Sequence, residues 1–230
     1  MTIAGDSASI LQELINLPEE TEWVEFKEAK NNFDFDDLGR YFSALSNEAN
    51  LKDQVAGWLV FGVTDRLPRI VVGSNYRLQK PGLEKLKREI SKHTNHQATF
   101  INIHELSINN RRVVLFEIPP AVRGVPTTWQ GVAYGRIHDS LSPLNLQKIE
   151  HIRRQVVEDY LKRFKTATRK DFDVLLLRKL SDAQTDGQKK NFITNLLQEM
   201  RREGTIQPVS GKRGKGSKWE LHKTALKDPV

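Results

Sequence analysis

The sequence has 230 residues, of which 38% are hydrophobic and 28% are charged, and it contains no cysteine. This composition is typical of a globular protein with one large domain or two small ones. The lack of cysteine excludes disulfides, thiolate zinc sites, iron–sulfur clusters and a cysteine nucleophile. No apolar run approaches the roughly 20 residues that a membrane span needs, and no basic segment at the start suggests a secretory signal, so we expect a cytoplasmic protein without membrane contact.

The net charge of +7 is distributed unevenly along the chain. Residues 1–150 contain 17 Lys and Arg against 19 Asp and Glu, whereas residues 151–230 contain 19 against 10. A strongly basic C-terminal part favours a polyanionic partner, and nucleic acid is the partner that we expect. The alternative is a basic surface that serves only solubility.

Helical and strand patterns alternate along the first 165 residues. Apolar residues at helical spacing predict helices over 8–17, about 34–50, about 82–93 and 145–164. Alternating or continuous apolar residues predict strands over 21–28, 57–63, 98–108, 111–119 and 132–140. The Asn-Asn turn after residue 108 predicts a hairpin. The pattern is that of an α+β domain, a mixed sheet with flanking helices, which we place at residues 1–165 with the last helix closing it.

Residues 166–230 predict a second, small and basic domain. A linker over 165–171 leads to helices over 172–180 and 188–203, and then to two short strands around the Gly- and Lys-rich segment GKRGKGSK. Two helices followed by a basic hairpin indicate a winged-helix-like domain, which can bind DNA or dock a protein.

Basic side chains of this second domain are the candidate contacts to nucleic acid. They are Lys189, Lys190, Arg201 and Arg202 on the later helix, and Lys212, Arg213, Lys215 and Lys218 at the hairpin. Such side chains neutralise phosphates and give salt-dependent affinity without reading bases. The hairpin segment also resembles a nucleotide-binding P-loop. However, its final Ser-Lys pair is in the reverse order and a strand follows instead of a helix, so we reject that interpretation.

Three carboxylates of the first domain are candidate metal ligands. Glu20 and Glu25 belong to the segment ETEWVEFK, and Asp65 follows the apolar strand that ends in FGV. If the two strands are neighbours, Asp65 can approach Glu25, and oxygen ligands of this kind suit Mg²⁺ or Mn²⁺. By spacing alone, the same pattern also fits an ordinary strand with a solvated charged face.

Several ordered motifs together resemble the AlbA-like domain of the Schlafen family, over about residues 8–150. They are ETEWVEFK, FSALSNEAN, GWLVFGVTD, IVVG and YGRIHDSLSP. The resemblance implies an AlbA-like α+β fold and nucleic-acid binding. In the nucleases of this family, two glutamates and an aspartate hold a divalent metal and cut structured RNA, including tRNA. Carried over by motif, this implies Glu20, Glu25 and Asp65 as catalytic metal ligands for Mg²⁺ or Mn²⁺. The zinc site found in some Schlafen proteins is not expected, because the chain has no cysteine. Lys27 would face the same side of the strand as Glu25 and is a candidate phosphate contact.

Three functions remain open at this point. The first is a metal-dependent endoribonuclease acting on structured RNA, and the second is a non-catalytic DNA-binding transcriptional regulator that uses the winged helix. The third is an adaptor within a larger complex, and homo-oligomerisation is possible. RNA is the favoured partner and DNA the alternative.

Overall fold

Helices and strands alternate through most of the chain. The computed structural model describes residues 7–18, 21–78, 82–137, 140–180, 184–209 and 217–222. Its helices are α1 (Ser7–Ile15), α2 (Phe35–Leu51), α3 (Glu84–Ser91), α4 (Leu146–Phe164), α5 (Arg169–Leu177) and α6 (Asp186–Arg202). Its strands are β1 (Val24–Lys27), β2 (Gly57–Phe61), β3 (Asn102–Ile108), β4 (Arg111–Ile118), β5 (Thr128–Trp129), β6 (Val132–Ile137), β7 (Ser140–Pro143), β8 (Ala167–Thr168), β9 (Ile206–Pro208) and β10 (Lys218–Leu221).

The chain divides into two units. The first comprises residues 1–122 and 126–145, and the second comprises residues 123–125 and 146–230. The division therefore falls at residues 145–146, instead of 165–166 as the sequence suggested. The helix that we expected to close the first domain contributes Val156, Val157 and Leu161 to the apolar core of the second unit.

A four-stranded mixed sheet forms the centre of the first unit, in the order β1-β2-β4-β3. β1 runs parallel to β2, and the other neighbours are antiparallel. Because side chains alternate across a strand, the two faces bury different partners. Leu59 and Phe61 pack with α2 and α3, whereas Trp58 and Val60 pack with α1. The predicted α+β fold is confirmed.

A small second sheet, β5-β6-β7, lies against α2 through buried polar contacts. The Asn47 side chain donates to the carbonyls of Thr127 (2.9 Å) and Tyr134 (2.7 Å) and accepts from the Thr127 amide (2.8 Å). Gly39 gives the helix room beside Trp129, because a Cβ atom at position 39 would lie 2.1 Å from the indole ring. These contacts explain the motif FSALSNEAN: its polar residues satisfy the backbone of the small sheet.

The second unit combines α4, α5 and α6 with the antiparallel sheet β8-β10-β9. Its core includes Phe172, Ile193, Leu196 and Met200, all of which are buried. Capping boxes start α5 and α6: Thr168 pairs with Asp171, and Thr185 pairs with Gln188. Across the part of the chain that is described, no helix is long and apolar enough to cross a membrane.

Candidate carboxylate site and basic surfaces

Glu25 and Lys27 point to the same face of the main sheet. Strand β1 pairs with β2 in the register Glu25 to Leu59 and Lys27 to Phe61, so both side chains share the face that α2 covers. The intervening residues Val24 and Phe26 belong to the opposite core. The condition under which Asp65 can approach Glu25, that these two strands are neighbours, is therefore met. Parallel pairing also brings the C-terminal ends of β1 and β2 to one edge of the sheet.

The Glu25 carboxylate lies between two cations. One of its oxygens is 2.5 Å from Nζ of Lys27, and the other pairs with the guanidinium of Arg136 on β6. Glu25 and Arg136 are each only 2% exposed, whereas Lys27 is 28% exposed. A buried charge requires a partner of opposite sign, and here the buried arginine supplies it. Lys27 contacts this buried pair through Glu25 and is itself partly exposed at the surface.

Arg136 is held by both its backbone and its side chain. Its amide donates to Oε1 of Glu48 on α2 at 2.8 Å, and its guanidinium donates to the Val24 carbonyl at 3.3 Å. Gly135 lets strand β6 lie close to Glu48 of α2, because a Cβ at position 135 would lie 2.4 Å from Leu144 and 3.0 Å from Oε1 of Glu48. Arg136 lies in the motif YGRIHDSLSP, but the sequence did not identify it as the partner of Glu25. A lone arginine within a strand is the signal that could have suggested it.

Asp65 approaches the same lysine from the other side. Its Oδ2 lies 3.9 Å from Nζ of Lys27, and its side chain is 44% exposed. The lysine ammonium also lies 5.3 Å from the ring centre of Tyr41, within cation–π range. A cleft of about 590 Å³ opens here, lined by Lys27, Asp65 and Arg66 among others. Glu25 and Asp65 thus flank one ammonium group at the rim of an open cleft.

The third proposed ligand, Glu20, lies outside the described residues. Among the residues that are described, no group of three or more histidine, aspartate or glutamate side chains is arranged to hold a metal ion. The described part of the site is therefore two carboxylates, one lysine and one buried arginine. It has hard oxygen donors and a position at which positive charge is stabilised.

The proposed basic contacts of the second unit are spread over α6 and β10. Lys190, Arg201 and Arg202 on α6 and Lys218 on β10 are exposed, and Lys189 is half-buried. Lys212, Arg213 and Lys215 lie outside the described residues.

A groove of about 670 Å³ in the second unit is lined by cations that were not among those predicted from the sequence. Arg201 lines it, together with Arg169, Lys170 and Trp219. Arg169 is fixed by Asp173 (2.8 Å) and by the Thr194 hydroxyl (2.8 Å). The only sequence feature that could have indicated this groove is the basic pair Arg169 and Lys170 at the start of α5.

The fold and the site define an α+β domain with a buried glutamate–arginine pair beside an open carboxylate–lysine cleft. Residues 20–145 match the family described as Schlafen, AlbA_2, and the chain belongs to this family. The resemblance drawn from the motifs is thereby confirmed, and family membership indicates a function related to nucleic acid. None of the curated proteins matches the chain.

Two solved structures resemble the chain at 16% sequence identity. The DIP2311 protein from Corynebacterium diphtheriae aligns with a TM-score of 0.44, covering 64% of this chain and 28% of that protein. The N-terminal domain of a RecG-related protein from Nitrosomonas europaea aligns with a TM-score of 0.42, covering 62% of this chain and 93% of that domain. This chain therefore spans less than a third of the length of the Corynebacterium protein.

Proposed function

We propose that this protein binds nucleic acid and is a divalent-metal-dependent endoribonuclease that acts on structured RNA such as tRNA. The observation that supports the proposal is the position of the Lys27 ammonium, 2.5 Å from Glu25 and 3.9 Å from Asp65. Two carboxylates converge there on one positive charge at the rim of an open cleft. The basic second unit supports a polyanionic substrate.

The donor set fits a hard divalent cation. Glu25 and Asp65 offer carboxylate oxygens on either side of the Lys27 ammonium, and Glu20 would be the third ligand. Lys27 would move from Glu25 to the substrate phosphate when the metal ion binds. Mg²⁺ is usually held by one or two carboxylates together with waters and substrate phosphates, so this number of protein ligands is sufficient. When bound, Mg²⁺ or Mn²⁺ supplies an activated water and stabilises negative charge on the phosphate.

The residues of the chain have separate roles in this proposal. Arg136 fixes the Glu25 carboxylate through a buried pair, so its other oxygen stays oriented towards Lys27. Lys27 donates hydrogen bonds to a phosphate oxygen when the strand enters, because its ammonium is the partly exposed member of the cluster. The basic side chains of the second unit retain the RNA backbone by charge.

Cleavage of tRNA by the purified full chain, with Mg²⁺ or Mn²⁺ and with EDTA, tests the proposal. Asp65→Asn preserves the size of an exposed side chain and removes its charge, so we expect it to abolish cleavage while leaving the fold intact. Glu28→Gln is the matched control, since Glu28 lines the same cleft but pairs with Lys30 instead of Lys27. Cleavage that persists in Asp65→Asn, or in EDTA, would contradict the assignment.

A second candidate is a DNA-binding transcriptional regulator that reads duplex DNA through the second unit. The supporting observation is its element order, helix, strand, two helices and two strands, with a sheet in the order β8-β10-β9. This order is compatible with the predicted winged helix, in which the later helix enters the major groove. Exposed Arg201 and Arg202 on α6 and Lys218 on β10 would then contact DNA.

Duplex binding by variants of the full chain separates the two candidates. We expect Arg201→Ala/Arg202→Ala to weaken binding of duplex DNA and to reduce its salt dependence if the second unit reads DNA. Arg178→Ala, an exposed cation on the segment after α5, is the charge control. A regulator should bind one duplex sequence in preference to others without added metal, whereas an endoribonuclease needs no such preference.

A further inference from the structure

A second cleft lies at the same edge of the main sheet as the carboxylate site. It has a volume of about 420 Å³, and its lining is polar. Three cations line it, namely Lys30, Arg111 and Arg112, and the amides of Asn31, Asn75 and Asn110 complete most of the wall. None of the described residues that line this cleft is acidic. Cations and amides without carboxylates are the surroundings that favour an anion.

Arg111 is the cation of this cleft whose charge is least compensated. Lys30 pairs with Glu28 at 2.8 Å, and Arg112 pairs with Glu105 at 2.7 Å. Arg111 is exposed and donates to the Val71 carbonyl at 2.6 Å, and within the described residues no carboxylate forms an ion pair with it. A carbonyl orients the guanidinium without neutralising it, so positive charge remains available in the cleft.

The backbone around the cleft is fixed by hydrogen bonds. Residues 72–75 cross the end of the sheet, where the Ser74 amide donates to the Arg112 carbonyl and the Asn75 amide to the Lys30 carbonyl, both at 2.8 Å. Gly73, at φ +87°, permits this crossing beside Arg111. The end of β1 and the start of β4 are thereby held together, and the cations project from an ordered frame.

The cleft also lies next to the proposed catalytic position. Glu28 lines the carboxylate cleft and Lys30 lines the basic one. Since three residues of extended chain span at most about 11 Å, the Cα atoms of Lys27 and Lys30 cannot be farther apart than that. A nucleic-acid strand that has one phosphate at Lys27 therefore reaches the basic cleft with a nearby phosphate.

We propose that Lys30 and Arg111 form a phosphate subsite that binds the backbone of a single-stranded RNA segment beside the Glu25–Asp65 site. This subsite deepens the proposed function and rests on it for the identity of the ligand. Its contribution is electrostatic, so it adds affinity and register without base specificity.

Binding of a short single-stranded RNA oligonucleotide to the full chain in EDTA tests the subsite without cleavage. Loss of two phosphate contacts should lower the slope of log affinity against log salt by about 1.4, and should weaken binding by roughly 10- to 30-fold at about 0.1 M salt. We expect this result for Lys30→Ala/Arg111→Ala. The matched control is Lys85→Ala/Arg88→Ala, which removes the same charge from exposed positions on α3 that line neither cleft.

Each outcome of this experiment either supports or refutes the phosphate subsite. If both double variants weaken RNA binding equally and have the same slope of log affinity against log salt, the subsite is refuted, whether or not the protein cleaves tRNA. A specific loss in Lys30→Ala/Arg111→Ala supports it even if no cleavage is found, so its failure differs from that of the catalytic proposal. The single variant Lys30→Ala keeps the test valid if the double variant does not fold, because Lys30 is 65% exposed and its pair with Glu28 lies at the surface. It should give about half the change in the slope of log affinity against log salt.

Discussion

Glu25 on β1 and Arg136 on β6 form an ion pair in which each side chain is only 2% exposed. The two residues are distant in sequence and belong to different sheets of the first unit. The pair therefore connects the strand of the proposed site to the small sheet that α2 positions. Its removal should affect stability as well as function, and the two effects can be separated.

Arg136→Met should be strongly destabilising. It leaves the Glu25 carboxylate buried with Lys27 as its remaining cationic partner among the described residues, and breaking a buried pair in this way costs about 3–5 kcal/mol. Chemical denaturation measures the change in the free energy of unfolding. Arg40→Ala is the control, because its pair with Asp37 is exposed and is worth at most about 1 kcal/mol.

The double variant Glu25→Gln/Arg136→Met completes this test. Removing both charges should restore part of the lost stability, since neither charge of the pair then remains buried without the other. If Arg136→Met costs no more than Arg40→Ala, the buried pair does not contribute in the way that its geometry indicates.

Binding of Mn²⁺ should stabilise the protein through Asp65. A ligand that binds only the folded state, at about 100 times its dissociation constant, adds about 2.7 kcal/mol to the free energy of unfolding. We expect a corresponding rise in melting temperature for the wild type and none for Asp65→Asn. Glu84→Gln, an exposed acidic residue in the first turn of α3, should keep the full rise. An equal rise in Asp65→Asn would place the ion elsewhere.

Gly39→Ala should be destabilising by about 1–3 kcal/mol, because the added Cβ would overlap the Trp129 ring and force repacking. Gly187→Ala is the matched control in the first turn of α6. Its added Cβ would meet only the Thr185 hydroxyl at 4.0 Å. That change should be neutral, or stabilising by up to about 1 kcal/mol through helix propensity. Thermal unfolding of the two variants compares them, and a similar effect for both would argue against close packing at Gly39.

Asp171→Asn should lower stability in a pH-dependent manner. Hydrogen bonds from the Thr168 amide and hydroxyl hold the pKa of the Asp171 carboxyl below its usual value. A lowered pKa in the folded state means that the stabilisation is present above the unfolded pKa of about 3.9 and disappears as the pH falls through the folded value. The difference from wild type should be about 0.3–1 kcal/mol at pH 7, as for an acidic residue at a helix N-terminus, and should vanish at low pH.

The matched control for this prediction is the second capping box. Gln188 takes the place of the acidic residue there and does not titrate. Gln188→Ala should therefore have an effect that is the same at neutral and acidic pH. Circular dichroism unfolding curves at several pH values measure both variants, and parallel pH dependence in the two would exclude the Asp171 carboxyl as the cause.

Local sequence patterns were sufficient for most helices and strands. The helix predicted at about 34–50 is observed as α2, and the hairpin predicted around the Asn-Asn turn is observed as β3 and β4. These elements have strong apolar periodicity and standard turn residues, which act within a few positions of one another. The motif IVVG forms an isolated bridge, between Val63 and Val71, instead of a regular strand.

The candidate site was only partly accessible from the sequence. Glu25, Lys27 and Asp65 could be selected because strand alternation and strand ends are local features. The role of Arg136 could not, because its partner is more than a hundred residues away and is reached only through packing against α2. The basic cleft of Lys30 and Arg111 was missed for the same reason: one cation follows β1 and the other begins β4.

By itself, the sequence determined the α+β class, the family and the basic character of the C-terminal part, since composition, periodicity and ordered motifs depend on the chain alone. Only the tertiary structure decided which charges meet. It brought Arg136 to Glu25, placed Lys27 between Glu25 and Asp65, and assembled Lys30 with Arg111 at one edge of the sheet. The physical reason is that ion pairs depend on distance and burial, and both are set by the packing of elements far apart in the chain.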